Sequence, residues 1–141
     1  MNRLDFSVIK HFPPDDVVAT GAKLADVQLE TMIALDKLRD SIGVAIILIK
    51  DGMTTGIHKA VEHPQGKAVD FTTGKVVPLP KIHAAAILAG FRGFGVYWNG
   101  KVWSYHVDLR PEYCAPWIGR KAKPGASGWA YKQLYVDPKG I

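Results

Sequence analysis

The sequence predicts an α+β domain, a small antiparallel sheet flanked by helices. Two patterns carry that expectation. Leu29, Met32, Leu35, Leu38 and Ile42 recur at helical spacing, with charged residues between them. Short runs rich in β-branched and aromatic residues follow, broken by glycine, proline and asparagine. A chain of 141 residues suits one compact unit. We divide it into a leader over 1–14, a core over 15–110 and a wrapping C-terminal segment over 111–141.

The elements follow in order. Pro13 and Pro14 before Asp15 and Asp16 set up a short helix over 15–20, with its acids in the first turn. The amphipathic helix over 29–42 ends at Gly43. "VAIILI", 44–49, is too short for a helix and reads as a buried strand. Residues 51–62 form a glycine-containing loop, a strand covers 67–71, and "TTGK" turns the chain. A short helix begins near Lys81 and stops at Gly90. "GFGVYWNGKVWSYHVDLRP" is a hairpin with arms 93–98 and 101–109 around a two-residue Asn99-Gly100 turn. On its second arm, Trp103, Tyr105 and Val107 should face the core, and His106 and Asp108 the opposite side. The glycine- and proline-rich tail should wrap the domain as loop and short strand.

Composition removes several function classes. Apolar residues make up 48% of the chain, enough for a folded core, so disorder is not expected. No apolar run approaches the length of about 18 residues that a membrane span needs. The start, "MNRLDFSVIKHFPP", lacks the apolar stretch of a secretory signal, so cytoplasmic synthesis without a signal peptide is expected. A phage lysis system is a route by which such a chain reaches the cell wall. One cysteine, Cys114, excludes an internal disulfide and a cysteine-rich zinc site. The net charge of +5, with "GRKAKPG" (119–125), Lys132 and Lys139 in the tail, favours anionic partners. No nucleic-acid-binding signature accompanies it, so nucleic acid is not the expected partner. A monomer is expected.

The chemistry lies in "HPQGKAVDF", 63–71. Pro64 and Gly66 make this stretch a turn feeding a strand, so His63 and Asp70 can point into one space. His106 on the hairpin is the candidate third donor. Two imidazoles and one carboxylate suit a single Zn2+ ion with the fourth tetrahedral position left for water, the mark of a catalytic site. Such an ion acidifies water and polarises a carbonyl, the chemistry of amide hydrolysis.

The pattern resembles the zinc D-alanyl-D-alanine carboxypeptidase family of peptidoglycan peptidases, which share a fold with the hedgehog signalling domain and include phage endolysins. His63, Gly66, Ala68 and Asp70 match its first motif, and His106 with Asp108 its second. The resemblance runs from about Leu29 to Arg110. It implies a hedgehog/DD-peptidase-like fold, zinc held by His63, Asp70 and His106, and hydrolysis of peptidoglycan stem peptides by a carboxypeptidase or endopeptidase. Three positions depart from the family pattern. Val61 stands where many members have serine, and Thr54 where an arginine binds the substrate carboxylate. Trp103 and Ser104 occupy the usual place of the catalytic base. Asp108 is then the first candidate base and Glu62 the second; Asp108 alternatively orients His106. His58 and Tyr97 are candidate substrate contacts. The alternative reading is a non-catalytic zinc-binding domain of the same fold that binds cell wall or a protein partner.

Overall fold

The computed structural model describes residues 1–56, 58 and 61–135. Parts of the expected 51–62 loop and of the 111–141 tail, Lys139 included, lie outside the described residues. The described chain is α+β, with three α-helices and a six-stranded mixed sheet. The helices are α1 (Pro14–Ala19), α2 (Leu29–Ile42) and α3 (Leu79–Ala89). The strands are β1 (Ile46–Leu48), β2 (Ala68–Thr73), β3 (Gly93–Trp98), β4 (Trp103–Asp108), β5 (Trp117–Arg120) and β6 (Ala130–Gln133). They lie side by side in the order β1-β2-β4-β3-β5-β6.

Helix α2 forms because its apolar residues make one stripe, burying Met32, Leu35, Leu38 and Ile42. It ends at Gly43, whose φ of +67° is the left-handed conformation that glycine adopts without strain. Helix α3 starts at Leu79, two residues before Lys81, because Pro80 is tolerated in a first turn where no amide partner is needed. Both helices join one core cluster with Val69 and Phe71 of β2, Phe94 and Val96 of β3, and Tyr105 and Val107 of β4. Each fully buried side chain of this size contributes about 1.5–3 kcal/mol relative to exposure. The leader belongs to the same cluster through Phe6, Ile9 and Phe12. Asp36 pins it by accepting the Lys10 and His11 amides at 2.6 and 2.9 Å.

Four expectations need correction. The sheet is mixed: after β4 the chain passes the end of β3 and returns alongside it, so β5 pairs with β3 in parallel. The apolar run 44–49 yields only three strand residues at a sheet edge, and Ile47 is 51% exposed. The hairpin register pairs Trp98 with Trp103, which leaves a four-residue connection, 99–102. Within it the Asn99 side chain accepts the amides of Lys101 and Val102, replacing a two-residue turn. Trp103, at the hairpin end, is exposed and packs at a tilt against Trp98, with ring centroids 4.8 Å apart.

Strand alternation gives the opposite sheet face its character. Asp70, His106, Gly95 and Trp117 are consecutive register partners across β2, β4, β3 and β5. Among the described residues no helix is long and apolar enough to cross a membrane.

Candidate metal centre

The turn carrying His63 is fixed by Gly66. Its φ is +73°, and a Cβ there would overlap the Asp26 carbonyl, so only glycine fits. The Gly66 carbonyl accepts the Thr31 hydroxyl at 2.8 Å and the Gln28 amide at 3.1 Å, locking the turn onto the start of α2. His63 is thereby carried inward and is 2% exposed. The loop after β1 approaches from the other side. Its Gly52 carbonyl accepts the Asp70 amide at 2.7 Å, tying the loop to β2 beside the carboxylate.

That loop supplies carbonyls to two histidines. His63 Nδ1 donates to Met53 O at 2.7 Å. His58 Nε2 shares its proton between Asp51 O at 2.8 Å and Thr55 O at 2.6 Å. The third histidine, His106, donates from Nε2 to Asp108 Oδ2 at 2.6 Å. A carbonyl can only accept, so the protons of His58 and His63 are fixed on those nitrogens. Asp108, wholly buried and ionised, fixes that of His106. In every case the other nitrogen is turned toward Asp70.

The distances are those of a ligand set. Asp70 Oδ1 lies 3.0 Å from His106 Nδ1 and 3.3 Å from His63 Nε2, and those two nitrogens are 3.2 Å apart. Ligand atoms on one tetrahedral zinc are about 3.3 Å from one another, given metal–ligand bonds near ~2.0–2.1 Å. The His63 and His106 ring centroids are 5.0 Å apart, tilted by 60°. Two imidazoles radiating from one such ion keep their centroids about 5 Å apart. His58, His63 and Asp70 also form a group that could hold a metal ion, each offering an atom within 4.8 Å of the others. His58 Nδ1 stands furthest out, 4.0 Å from Asp70 Oδ2. The donor set suits zinc, and equally other first-row divalent ions.

Without a metal, one proton takes the centre of this triangle. Burial disfavours the His106 imidazolium, but Asp108 and Asp70 bond and attract it more strongly and push its pKa up to about 9. Burial would likewise raise the Asp70 carboxyl, yet the hydrogen bonds from His106 and His63 bring it down to about 2. The imidazolium proton on Nδ1 faces both Asp70 Oδ1 and His63 Nε2. A divalent cation must displace it. Metal uptake at pH 7–8 should therefore release a proton, and affinity should fall as pH drops below about 9, by up to about tenfold per unit. Calorimetric titration of zinc in buffers of different ionisation enthalpy measures that release; heats independent of the buffer would contradict it.

The other candidates fall into distinct places. Asp108 is fully buried, and Arg110 grips both its oxygens, Nε at 2.8 Å and a terminal nitrogen at 2.6 Å. Glu62 is half-buried and accepts no hydrogen bond on its carboxylate from another described residue, though its charge reaches Arg110. Tyr97 lies on the same face of β3 as Gly95, the register partner of His106, and its hydroxyl accepts the Trp117 indole N–H at 2.8 Å. Burial pushes that phenol up to about 12, so it stays protonated. His11 and His83 are occupied elsewhere, by Asp40 and Tyr135.

Sequence reasoning missed Arg110 and left Trp117 undecided between groove lining and core. Arg110 follows Asp108 by two residues, and its guanidinium lies 5.3 Å from the centre of the Trp117 ring. The indole in turn sits 5.4 Å from the His106 ring. The His-x-Asp-x-Arg spacing was a signal for the first; nothing in the tail decided the second. The chain matches no protein-family model, no curated protein and no solved structure.

Proposed function

We propose that this chain is a zinc-dependent peptidase, of hedgehog/DD-peptidase-like fold, that hydrolyses peptide bonds in peptidoglycan stem peptides. One observation carries the metal-dependent part: Asp70 Oδ1, His63 Nε2 and His106 Nδ1 lie 3.0–3.3 Å apart, with both histidines already bonded through their far nitrogens. The stem-peptide substrate rests on the two motifs, His63-x-x-Gly66-x-Ala68-x-Asp70 and His106-x-Asp108, in their order, the first running from a turn into β2 and the second on β4.

His63, Asp70 and His106 would hold the ion. When bound, zinc supplies a Lewis acid that polarises a carbonyl and lowers the pKa of water. The protein's own groups do the rest. Met53 O and Asp108 keep a proton on the far nitrogens of His63 and His106, so His63 Nε2 and, once its proton has left, His106 Nδ1 would face the ion. Asp108 is assigned to orienting His106, because both its oxygens are engaged and water cannot reach it. The half-buried Tyr97 and Trp117, on one face of β3 and β5, would border the place where an extended peptide lies beside the centre.

A second reading, a zinc-binding domain without catalysis, draws support from that engagement of Asp108, which removes the first candidate base. Zinc content and wall hydrolysis separate the two. The purified chain should hold one zinc and release peptide or D-alanine from peptidoglycan. A chelator should abolish the release and added zinc restore it. Bound zinc with every wall preparation uncut would favour the binding domain. A chain that takes up no metal would overturn both readings.

A further inference from the structure

We propose that His58 is a catalytic residue, the general base that takes the proton from the attacking water through Nδ1. This rests on the hydrolase reading above and supplies the base that reading lacks. The first support is the anchoring of the ring. Asp51 O and Thr55 O both accept from Nε2, which fixes the imidazole with Nδ1 directed at the centre, 4.0 Å from Asp70 Oδ2. The second is the stacking of His58 on His63, with centroids 3.7 Å apart and planes within 14°. Two imidazoles on one tetrahedral ion need about 5 Å between centroids, the spacing found for His63 and His106 at 5.0 Å. His58 as placed is therefore beside the ligand set and outside it.

The third support is the loop that holds it. Asp51 is the one non-glycine residue with positive φ among the described residues, at +59°. A left-handed aspartate is uncommon, and strain of this kind collects where a site needs a fixed direction. Its amide donates to Thr20 O at 2.8 Å and its side chain accepts the Thr55 hydroxyl at 3.2 Å. The conformation turns the Asp51 carbonyl onto His58. Gly56 is required by the same packing: its φ is +89°, and a Cβ there would come within 2.8 Å of Asp51 Cβ.

The step balances without an added reactant. As the water oxygen bonds to the carbonyl carbon, one O–H proton passes to His58 Nδ1 and the carbonyl π pair moves onto oxygen. When that pair returns and the C–N bond breaks, His58 gives the proton to the departing amine nitrogen.

The test is His58→Gln in the full-length chain, beside wild type and Glu62→Gln. With zinc loaded, His58→Gln should keep one ion per chain and a KM within about twofold, while kcat falls about 10²–10⁴-fold, the range for a lost general base. Loss of zinc would make His58 a ligand, and a raised KM with kcat preserved would make it a substrate contact; either overturns the proposal. So would an active His58→Gln beside an inactive Glu62→Gln. Long-range ¹H–¹⁵N spectra of zinc-loaded wild type give a readout independent of turnover and of the variant's folding. They should show His63 Nε2 and His106 Nδ1 metal-bound, and His58 protonated on Nε2 with Nδ1 unligated. A metal-bound or protonated Nδ1 overturns the assignment. Wild type that binds zinc and cuts no wall peptide fails the hydrolase reading and the base with it; wild type that cuts beside an equally active His58→Gln fails the base alone.

Discussion

Asp70→Asn should lower zinc affinity on the order of a hundred- to a thousandfold while leaving the metal-free fold in place. The carboxylate is where the centre converges: His106 and His63 lie 3.0 and 3.3 Å from Oδ1, and His58 4.0 Å from Oδ2. A protein zinc site gathers about 10–16 kcal/mol over four ligands, so one ligand corresponds to roughly 2.5–4 kcal/mol. Asparagine keeps the shape but offers a neutral oxygen. It also removes the negative charge that, with Asp108, balances His106. Competition against a chromophoric chelator measures the affinity, and a loss under tenfold would exclude Asp70 as a ligand. Thermal melts give an internal control. Zinc at a hundred times its Kd should stabilise wild type by about 2.7 kcal/mol. The variant should lose that increment, and its metal-free melt should fall as well, because the Asp70 carboxylate is held ionised by His106 and His63 in the metal-free fold.

The sequence displayed the parts of this centre whose placement depends on side-chain pattern. The α2 stripe and its Gly43 stop were readable because helical periodicity and a left-handed cap are written in residue types. The pairing of His106 with Asp70 followed from strand alternation once β2 and β4 became neighbours. The three-residue edge strand β1 was misjudged because an apolar run does not say how many of its faces are covered. The parallel β5 was hidden for a similar reason: "WIGR" and "AYKQ" show no alternation, and their pairing is set by backbone hydrogen bonds. The sequence offered His58 only as a candidate substrate contact, without its orientation. Its orientation comes from the carbonyls of Asp51 and Thr55, and any residue type carries a carbonyl. A left-handed aspartate has no sequence mark of its own. Asp108 was recognised as important, but its burial and double contact with Arg110 need three dimensions to separate a positioning carboxylate from a base.

Asp108→Asn decides between those two roles. Burial alone would raise this carboxyl, but the Arg110 and His106 hydrogen bonds hold it well below the usual carboxylate range. A carboxyl depressed in the fold contributes fully above the ordinary aspartate value of about 3.9, and loses that contribution only as pH falls through its lower folded value. At neutral pH the substitution removes all of it. Removing one partner from a buried pair costs about 3–5 kcal/mol, because the other charge is left uncompensated. Asparagine can still accept the His106 Nε2 proton, but it cannot neutralise Arg110, whose side chain is only 22% exposed. Zinc affinity should fall with stability, by about 10–100-fold, as expected for the partner that orients a ligand histidine. The difference in denaturant midpoint between wild type and variant should hold steady between about pH 5 and 6.5, shrink as pH rises toward about 9 and His106 loses its proton, and close in strong acid. A base has the opposite signature. If Asp108 moved protons in turnover, the asparagine variant would keep its zinc affinity and its stability and lose kcat alone. Arg110→Met sharpens the comparison, since it leaves Asp108 bonded to His106 while removing the guanidinium over Trp117. Asp108 as a positioning group requires both variants to weaken zinc binding, with Asp108→Asn the more severe.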